Sequence, residues 1–209
     1  MTDTPTEAVY KDLLYAYDYF NDVLFGGKLP TCLITMQRKP RARGYFSYER
    51  FNSRRDEQDR TDEIALNPVA FQGRTDEEIL STLVHEMVHL WQYHFGSPSR
   101  SGYHNREWAD MMKRLGLPPS DTGKPGGRET GQRVTHYIIP DGPFALTCAV
   151  LLEDGDCNIH YEEKGSQNAA KKAASKTRYT CPSCGLNAWA KPGGADQLRS
   201  VRQAADSVI

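Results

Sequence analysis

Thr75-Asp76-Glu77-Glu78-Ile79-Leu80-Ser81-Thr82-Leu83-Val84-His85-Glu86-Met87-Val88-His89-Leu90-Trp91-Gln92-Tyr93 carries the densest signal in the chain. Its first four residues match a capping box, with Thr75 as N-cap and Glu78 reaching back to it. Ile79, Leu80, Leu83, Val84, Met87, Val88 and Trp91 then recur at helical spacing and make one buried side. The pattern predicts a helix running to about Tyr93. On that helix His85 and His89 stand at i and i+4 on one face, where two imidazoles can meet one Zn²⁺. Glu86 lies near the same face, placed to take a proton from a water at the metal. Three fixed residue types inside a capped, strongly periodic helix outweigh a chance match on a core helix.

A catalytic zinc needs a third protein ligand and one open position. Gln92 and Phe95 occupy the places where a Gly and a third His would follow in one familiar arrangement. His94 sits about half a turn round the helix from His85, so it points away. His104 follows a Ser/Gly/Pro loop at 96–102 and can turn back onto the metal from the start of the next helix. Glu107 is its rival and Asp110 a weaker third. Cys32 also competes, because a Cys ahead of a two-His helix is the ligand set of deformylase-like enzymes. It lies in the apolar run Thr31-Cys32-Leu33-Ile34, where a core thiol is the commoner role.

Outward from this helix, the chain reads as a mixture of elements. Apolar spacing predicts a helix over 6–25, stopped by Gly26-Gly27. Strands are expected over 31–36, 44–51 and 62–67, with a charged exposed loop at 52–60 between the last two. A shorter helix is expected over 104–115, then a Pro/Gly-rich linker, a strand near 133–139, a helix over 143–152 and a strand over 158–162. Residues 165–176 are low-complexity Ala/Lys/Ser.

The 209 residues suffice for a real core without disulfide staples. Their 38% hydrophobic and 25% charged content fits a globular chain, and the longest apolar run, 144–152, is too short to cross a bilayer. Met1-Thr2-Asp3-Thr4-Pro5 has neither the basic start nor the apolar stretch of a secretory signal. The five Cys include one close pair, which fits a reducing compartment better than a disulfide scaffold. A cytoplasmic protein without a membrane partner is expected. The net charge of −1 hides an asymmetry: Lys164, Lys171, Lys172, Lys176, Arg178 and Lys191 fall in a stretch with no acidic residue. A basic end suggests an acidic partner.

His85-Glu86-Met87-Val88-His89 followed by Gly102-Tyr103-His104-Asn105-Arg106-Glu107-Trp108 resembles the SprT-like (Spartan-type) zinc metalloproteases. Ala16-Tyr17-Asp18-Tyr19-Phe20-Asn21, Leu24-Phe25-Gly26-Gly27-Lys28-Leu29-Pro30 and Asp62-Glu63-Ile64-Ala65-Leu66-Asn67-Pro68 are similar to that family's pattern too. The likeness spans roughly 10–117, and Glu129-Thr130-Gly131-Gln132 looks most like bacterial, phage or plasmid members. The resemblance implies a compact α+β, zincin-like fold, with a small sheet packed on the helices that carry the motif. It implies His85, His89 and His104 as zinc ligands and Glu86 as catalytic base. It also implies protein substrates at or near DNA and an intracellular, nucleoid-associated setting. An extended peptide would add to an exposed strand edge, for which 62–67 is the candidate.

These readings divide the chain into a metalloprotease domain at 1–117, a linker with a strand at 118–140 and a small basic module at 141–209. In the last, Cys181-Pro182-Ser183-Cys184-Gly185 is half of a zinc-ribbon site. Family members commonly carry a second Cys pair further on; here neither Cys nor His follows Cys184. Cys157 and His160, or Cys148, could complete it; the alternatives are a degenerate ribbon without metal and a Cys-x-x-Cys redox pair, which lacks its usual strand–helix context. Lys171, Lys172, Lys176 and Arg178, beside Tyr179 and Trp189, have the charges and flat rings that single-stranded DNA sites use. The expected function is zinc-dependent endoproteolysis of protein substrates, including DNA-associated or DNA-crosslinked ones. The alternative is a non-catalytic zinc module that binds nucleic acid or the transcription machinery; Glu86 speaks against it, since a structural site has no use for a base. A small-peptide hydrolase with Cys32 on the metal is the third reading.

Overall fold

A computed structural model describes residues 3–56, 58–153, 155, 157–164, 177–180, 185 and 187–190. The chain divides into a compact unit, Met1–Gly165, and a second unit, Ser166–Ile209.

The first unit opens with helix α1, Pro5–Phe25. Thr4 and Glu7 close a capping box at its start, and Gly26, at φ 66°, ends it. The Asn21 side chain then grips Leu29 through both its backbone N–H and C=O, at 3.0 and 3.1 Å, aiming the chain into the sheet. That sheet has three strands, β1 (Leu33–Met36), β2 (Gly44–Asn52) and β3 (Arg60–Leu66), in the order β1-β3-β2. β1 runs parallel to β3 and β2 antiparallel. The sequence placed β3 at the edge; it is instead central. The five residues from Asp62 to Leu66 are all buried, which two flanking strands require. The outer strands of this sheet, among the described residues, are β1 and β2.

Helix α2, Asp76–Phe95, starts at the expected Thr75–Glu78 box. Every residue from Ile79 to Val88 is buried, because the sheet, α1 and later elements surround it. Helix α3 is Arg106–Arg114. It begins two residues later than expected because Asn105 is the cap, its Oδ1 accepting the Trp108 N–H at 3.0 Å. His104 is thus left on extended chain ahead of the helix.

The segment 118–140 is no free linker. Two short strands, β4 (Pro119–Ser120) and β5 (Thr135–His136), pair antiparallel, and Tyr137 and Ile139 donate backwards to Pro118 and Gly116. An Arg128–Asp121 ion pair at 2.7 Å closes the intervening turn. Helix α4, Pro143–Glu153, then returns to the core, with Phe144 against Phe20 at a ring-centroid distance of 5.7 Å. Phe144 and Leu151 are almost fully buried, each worth about 1.5–3 kcal/mol of transfer free energy. Packing therefore continues well past residue 117, where the sequence reading ended the first domain.

The stretch 157–164 carries no regular secondary structure and pairs with no strand among the described residues, unlike the strand expected over 158–162. The Asp12 carboxylate holds it instead, accepting from Asn158 N–H at 3.0 Å and from His160 Nε2 at 2.9 Å. Cys157 and Cys148 are buried in this core. Burial pushes both thiols up to about 12. The unfolded chain ionises them near ~8.5, so between there and about 12 it holds fewer protons than the native state and stability falls as pH rises. Each thiol contributes a slope of about 1.4 kcal/mol per pH unit in that window. Denaturation midpoints at pH 7.5 and 10 are expected to fall less in a folded Cys148→Ala/Cys157→Ala variant than in the wild type; equal falls would contradict this.

Of the second unit, a hairpin is described: β6 (Thr177–Thr180) antiparallel to β7 (Asn187–Ala190). Cys181, Cys184, Lys171, Lys172 and Lys176 lie outside the described residues. Among the described residues, no helix is long and apolar enough to cross a membrane.

Candidate metal centre

The buried α2 presents His85 and His89 one turn apart, their rings 5.3 Å from centroid to centroid. His104 completes a triangle, 5.3 Å from His85 and 4.8 Å from His89. One ligand atom from each of the three imidazoles lies within 4.8 Å of the other two. Trp108, fully buried on α3, lies against all three rings at 4.3–5.1 Å and fixes them from behind.

His104 reaches the triad because the arm beyond residue 117 clamps it. Its backbone forms a two-way bridge with Gly131, at 2.9 and 3.0 Å. Its Nδ1 also lies 3.0 Å from the Gly131 carbonyl oxygen. A carbonyl only accepts, so Nδ1 carries the proton and Nε2 is left bare for a metal. Gly131 sits at φ 135°, a conformation a side chain would resist, and so can offer one oxygen to both donors.

The donor set fits a zinc ion. His104 Nε2 and His85 Nε2 are 3.3 Å apart. Two nitrogens at about 2.0–2.1 Å from a tetrahedral Zn²⁺ stand roughly 3.3–3.4 Å apart. Burial holds all three imidazoles below their usual pKa, His89 down to about 3, so they are neutral and available as ligands.

Glu86 leaves α2 toward β2 and is 5% exposed. Burial pushes its carboxyl up to about 8, against the pull of Lys39 and of the Phe46 backbone N–H. A bound dication would act in the same direction as Lys39. Gly44 makes the room: a Cβ there would lie 3.1 Å from Glu86 Oε1 and 2.9 Å from the Ala65 carbonyl oxygen. The carboxylate therefore lies beside the start of β2, next to an edge strand.

The rival ligands are occupied elsewhere. Glu107 accepts from Gln92 Nε2 at 2.6 Å and Ser97 N–H at 2.7 Å, bracing the end of α2 against α3. Asp110 pairs with Arg106 at 3.1 Å. His94 points away from the triad, as expected, and pairs with Asp62 at 2.7 Å. Cys32 neighbours Tyr17 and Ile64, and burial pushes its thiol up to about 12, as for a core cysteine. Cys148, Cys157 and His160, considered as partners for Cys181 and Cys184, have their contacts within the first unit.

One residue escaped the sequence reading. His136 of β5 is buried, its Nδ1 3.1 Å from His85 Nδ1 and its Nε2 2.8 Å from Ser81 Oγ. It is 51 residues from His85. No motif spacing links them; the faint signal is a His inside the strand-like run Val134-Thr135-His136-Tyr137-Ile138.

A family model described as the SprT-like family matches residues 14–124. The chain is also similar to an uncharacterized protein in the mucB 3′ region of Salmonella typhimurium. The two are 52% identical over 50 residues, which is 24% of this chain and 68% of that relative.

Proposed function

The chain belongs to the SprT-like family, and on that premise we propose that it is a zinc-dependent endopeptidase acting on protein substrates. The observation that carries the reading is the buried Glu86 carboxylate beside three converging, neutral imidazoles and an open strand edge. A stabilising metal site would gain nothing from such a carboxylate.

His85, His89 and His104 would hold the ion, with Trp108 keeping their rings in place. A zinc ion held by these three residues would supply Lewis acidity toward the scissile carbonyl and the attacking water. Glu86 takes the proton from that water at a carboxylate oxygen and passes it to the leaving amine nitrogen. Its burial keeps bulk water from competing for that proton. An extended peptide adds to the free edge of β2, whose first residues, Gly44 to Phe46, lie against Glu86. Main-chain pairing along β2 would bring the scissile bond past the carboxylate.

The substrates we propose are proteins on or crosslinked to DNA, encountered in the cytoplasm at the nucleoid. The β6–β7 hairpin supports this: Arg178 stands directly opposite Trp189, which is 61% exposed. A guanidinium beside an open indole suits a phosphate and a stacked base of single-stranded DNA. Lys171, Lys172 and Lys176 precede it in sequence and would add charge.

The test is cleavage of a DNA-binding protein by zinc-loaded protein, with and without single-stranded DNA. Cleavage is expected to stop on chelation, return with Zn²⁺ and accelerate with DNA. Absence of cleavage by fully zinc-loaded protein in both arms would overturn the proposal. Cleavage indifferent to DNA would remove the hairpin's part alone.

A further inference from the structure

We propose that His136 is a positioning residue for the metal centre: it accepts the Nδ1 proton of His85 and so turns that ligand's Nε2 toward the ion. The inference rests on the zinc reading above.

The hydrogen-bond chain has a direction, and it can be read from its far end. Ser81 Oγ lies 2.8 Å from the Glu78 carbonyl oxygen, which also accepts from Arg74. A carbonyl cannot donate, so the Ser81 hydroxyl proton goes to it. Ser81 Oγ must then accept from its other neighbour, His136 Nε2, at 2.8 Å. A neutral imidazole carries one N–H, so His136 Nδ1 holds a lone pair. Facing it at 3.1 Å is His85 Nδ1, which must donate. That leaves His85 Nε2 bare, on the side where His104 Nε2 stands 3.3 Å away. The reversed chain would put a proton on His85 Nε2 and block the metal.

The framework holds this geometry. Ser81 and His85 are one turn apart on α2, so their spacing is set by the helix. His136 is laid across them by its pairing with Pro119 in the β4–β5 ladder. His104 is fixed by the same arm, through the Gly131 carbonyl. Two of the three ligands thus take their orientation from residues 118–140. Outer-shell partners of zinc-bound histidines are commonly carboxylates, backbone carbonyls or waters. An imidazole does the same work without adding negative charge, leaving Glu86 the carboxylate beside the triad.

The test compares His136→Asn, whose Oδ1 can take the acceptor position of Nδ1, with His136→Leu, which has no acceptor. Zinc affinity is measured by competition with a chromophoric chelator, and the thermal midpoint of the metal-free protein is recorded beside it. His136→Leu is expected to weaken zinc binding by about 10–100-fold, and His136→Asn to recover most of that loss. Imidazole ¹⁵N shifts of the zinc-loaded wild type provide a second readout, needing no variant. They are expected to show the His136 proton on Nε2 and the His85 proton on Nδ1. Unchanged zinc affinity in His136→Leu, or a His136 proton on Nδ1, would overturn the proposal. So would equal affinity losses in both variants with equal drops in the metal-free midpoint, the mark of a packing role. A wild type that binds no zinc would instead overturn the metal reading itself, and this inference with it.

Discussion

Glu86→Gln is expected to lower kcat/KM for a protein substrate by about 10²–10⁴-fold while zinc stays bound. The substitution keeps the volume of the side chain, so the slot beside Gly44 stays filled. An amide oxygen can still accept the Phe46 N–H that the carboxylate accepts. What is lost is the basic oxygen that takes a proton from water and returns it to the amine. The three imidazoles, their Trp108 backing and the Gly131 clamp are untouched, so metal stoichiometry should match the wild type. Rates and zinc content measured on one preparation separate the two effects. A Glu86→Gln protein that is fully loaded and fully active would show that Glu86 is not the base.

His104→Ala is expected to weaken zinc binding on the order of 10³-fold or more and to abolish cleavage when zinc is limiting. Two losses combine. One of three ligand nitrogens disappears, and the side-chain half of the bond to Gly131 goes with it. The informative companion is Glu107→Gln, at the residue that competes with His104 on sequence grounds. Glu107 is a brace, accepting from Gln92 and Ser97. Its neutralisation keeps an acceptor oxygen and removes only the charge assistance, so it should cost about 1 kcal/mol of stability and leave zinc affinity unchanged. Zinc titration and thermal unfolding of the two variants give opposite patterns if the ligand set is right. Loss of zinc in Glu107→Gln with retention in His104→Ala would assign the third ligand to the carboxylate.

The capped helix, its buried side and the His85/Glu86/His89 face were legible in the sequence because their signal is local. A period of 3.6 and a Thr–Glu box act within a few residues, and α2 starts where they say. The extent of α1 was legible from the same helical spacing, and the apolar run 143–152 marked α4 to within one residue. The start of α3 was misplaced by two residues because Asn105, a stronger cap than His104, set it.

Strand order was out of reach. The short run 62–67, closed by Asn67-Pro68, marks a strand but does not say whether one neighbour or two bury it. The role of 118–140 was hidden as well. Its Pro and Gly read as a linker, yet its backbone closes on itself through β4 and β5 and on the triad through Gly131 and His136. The chemistry on offer, two imidazoles and a carboxylate on one helical face, is therefore a property of this sequence alone, since the helix repeat dictates it. The choice of His104 over Glu107 as third imidazole or brace, the central place of β3, and the outer contact from His136 belong to the tertiary structure. Each depends on groups that meet only after the chain has folded over tens of residues, and no local periodicity encodes such meetings.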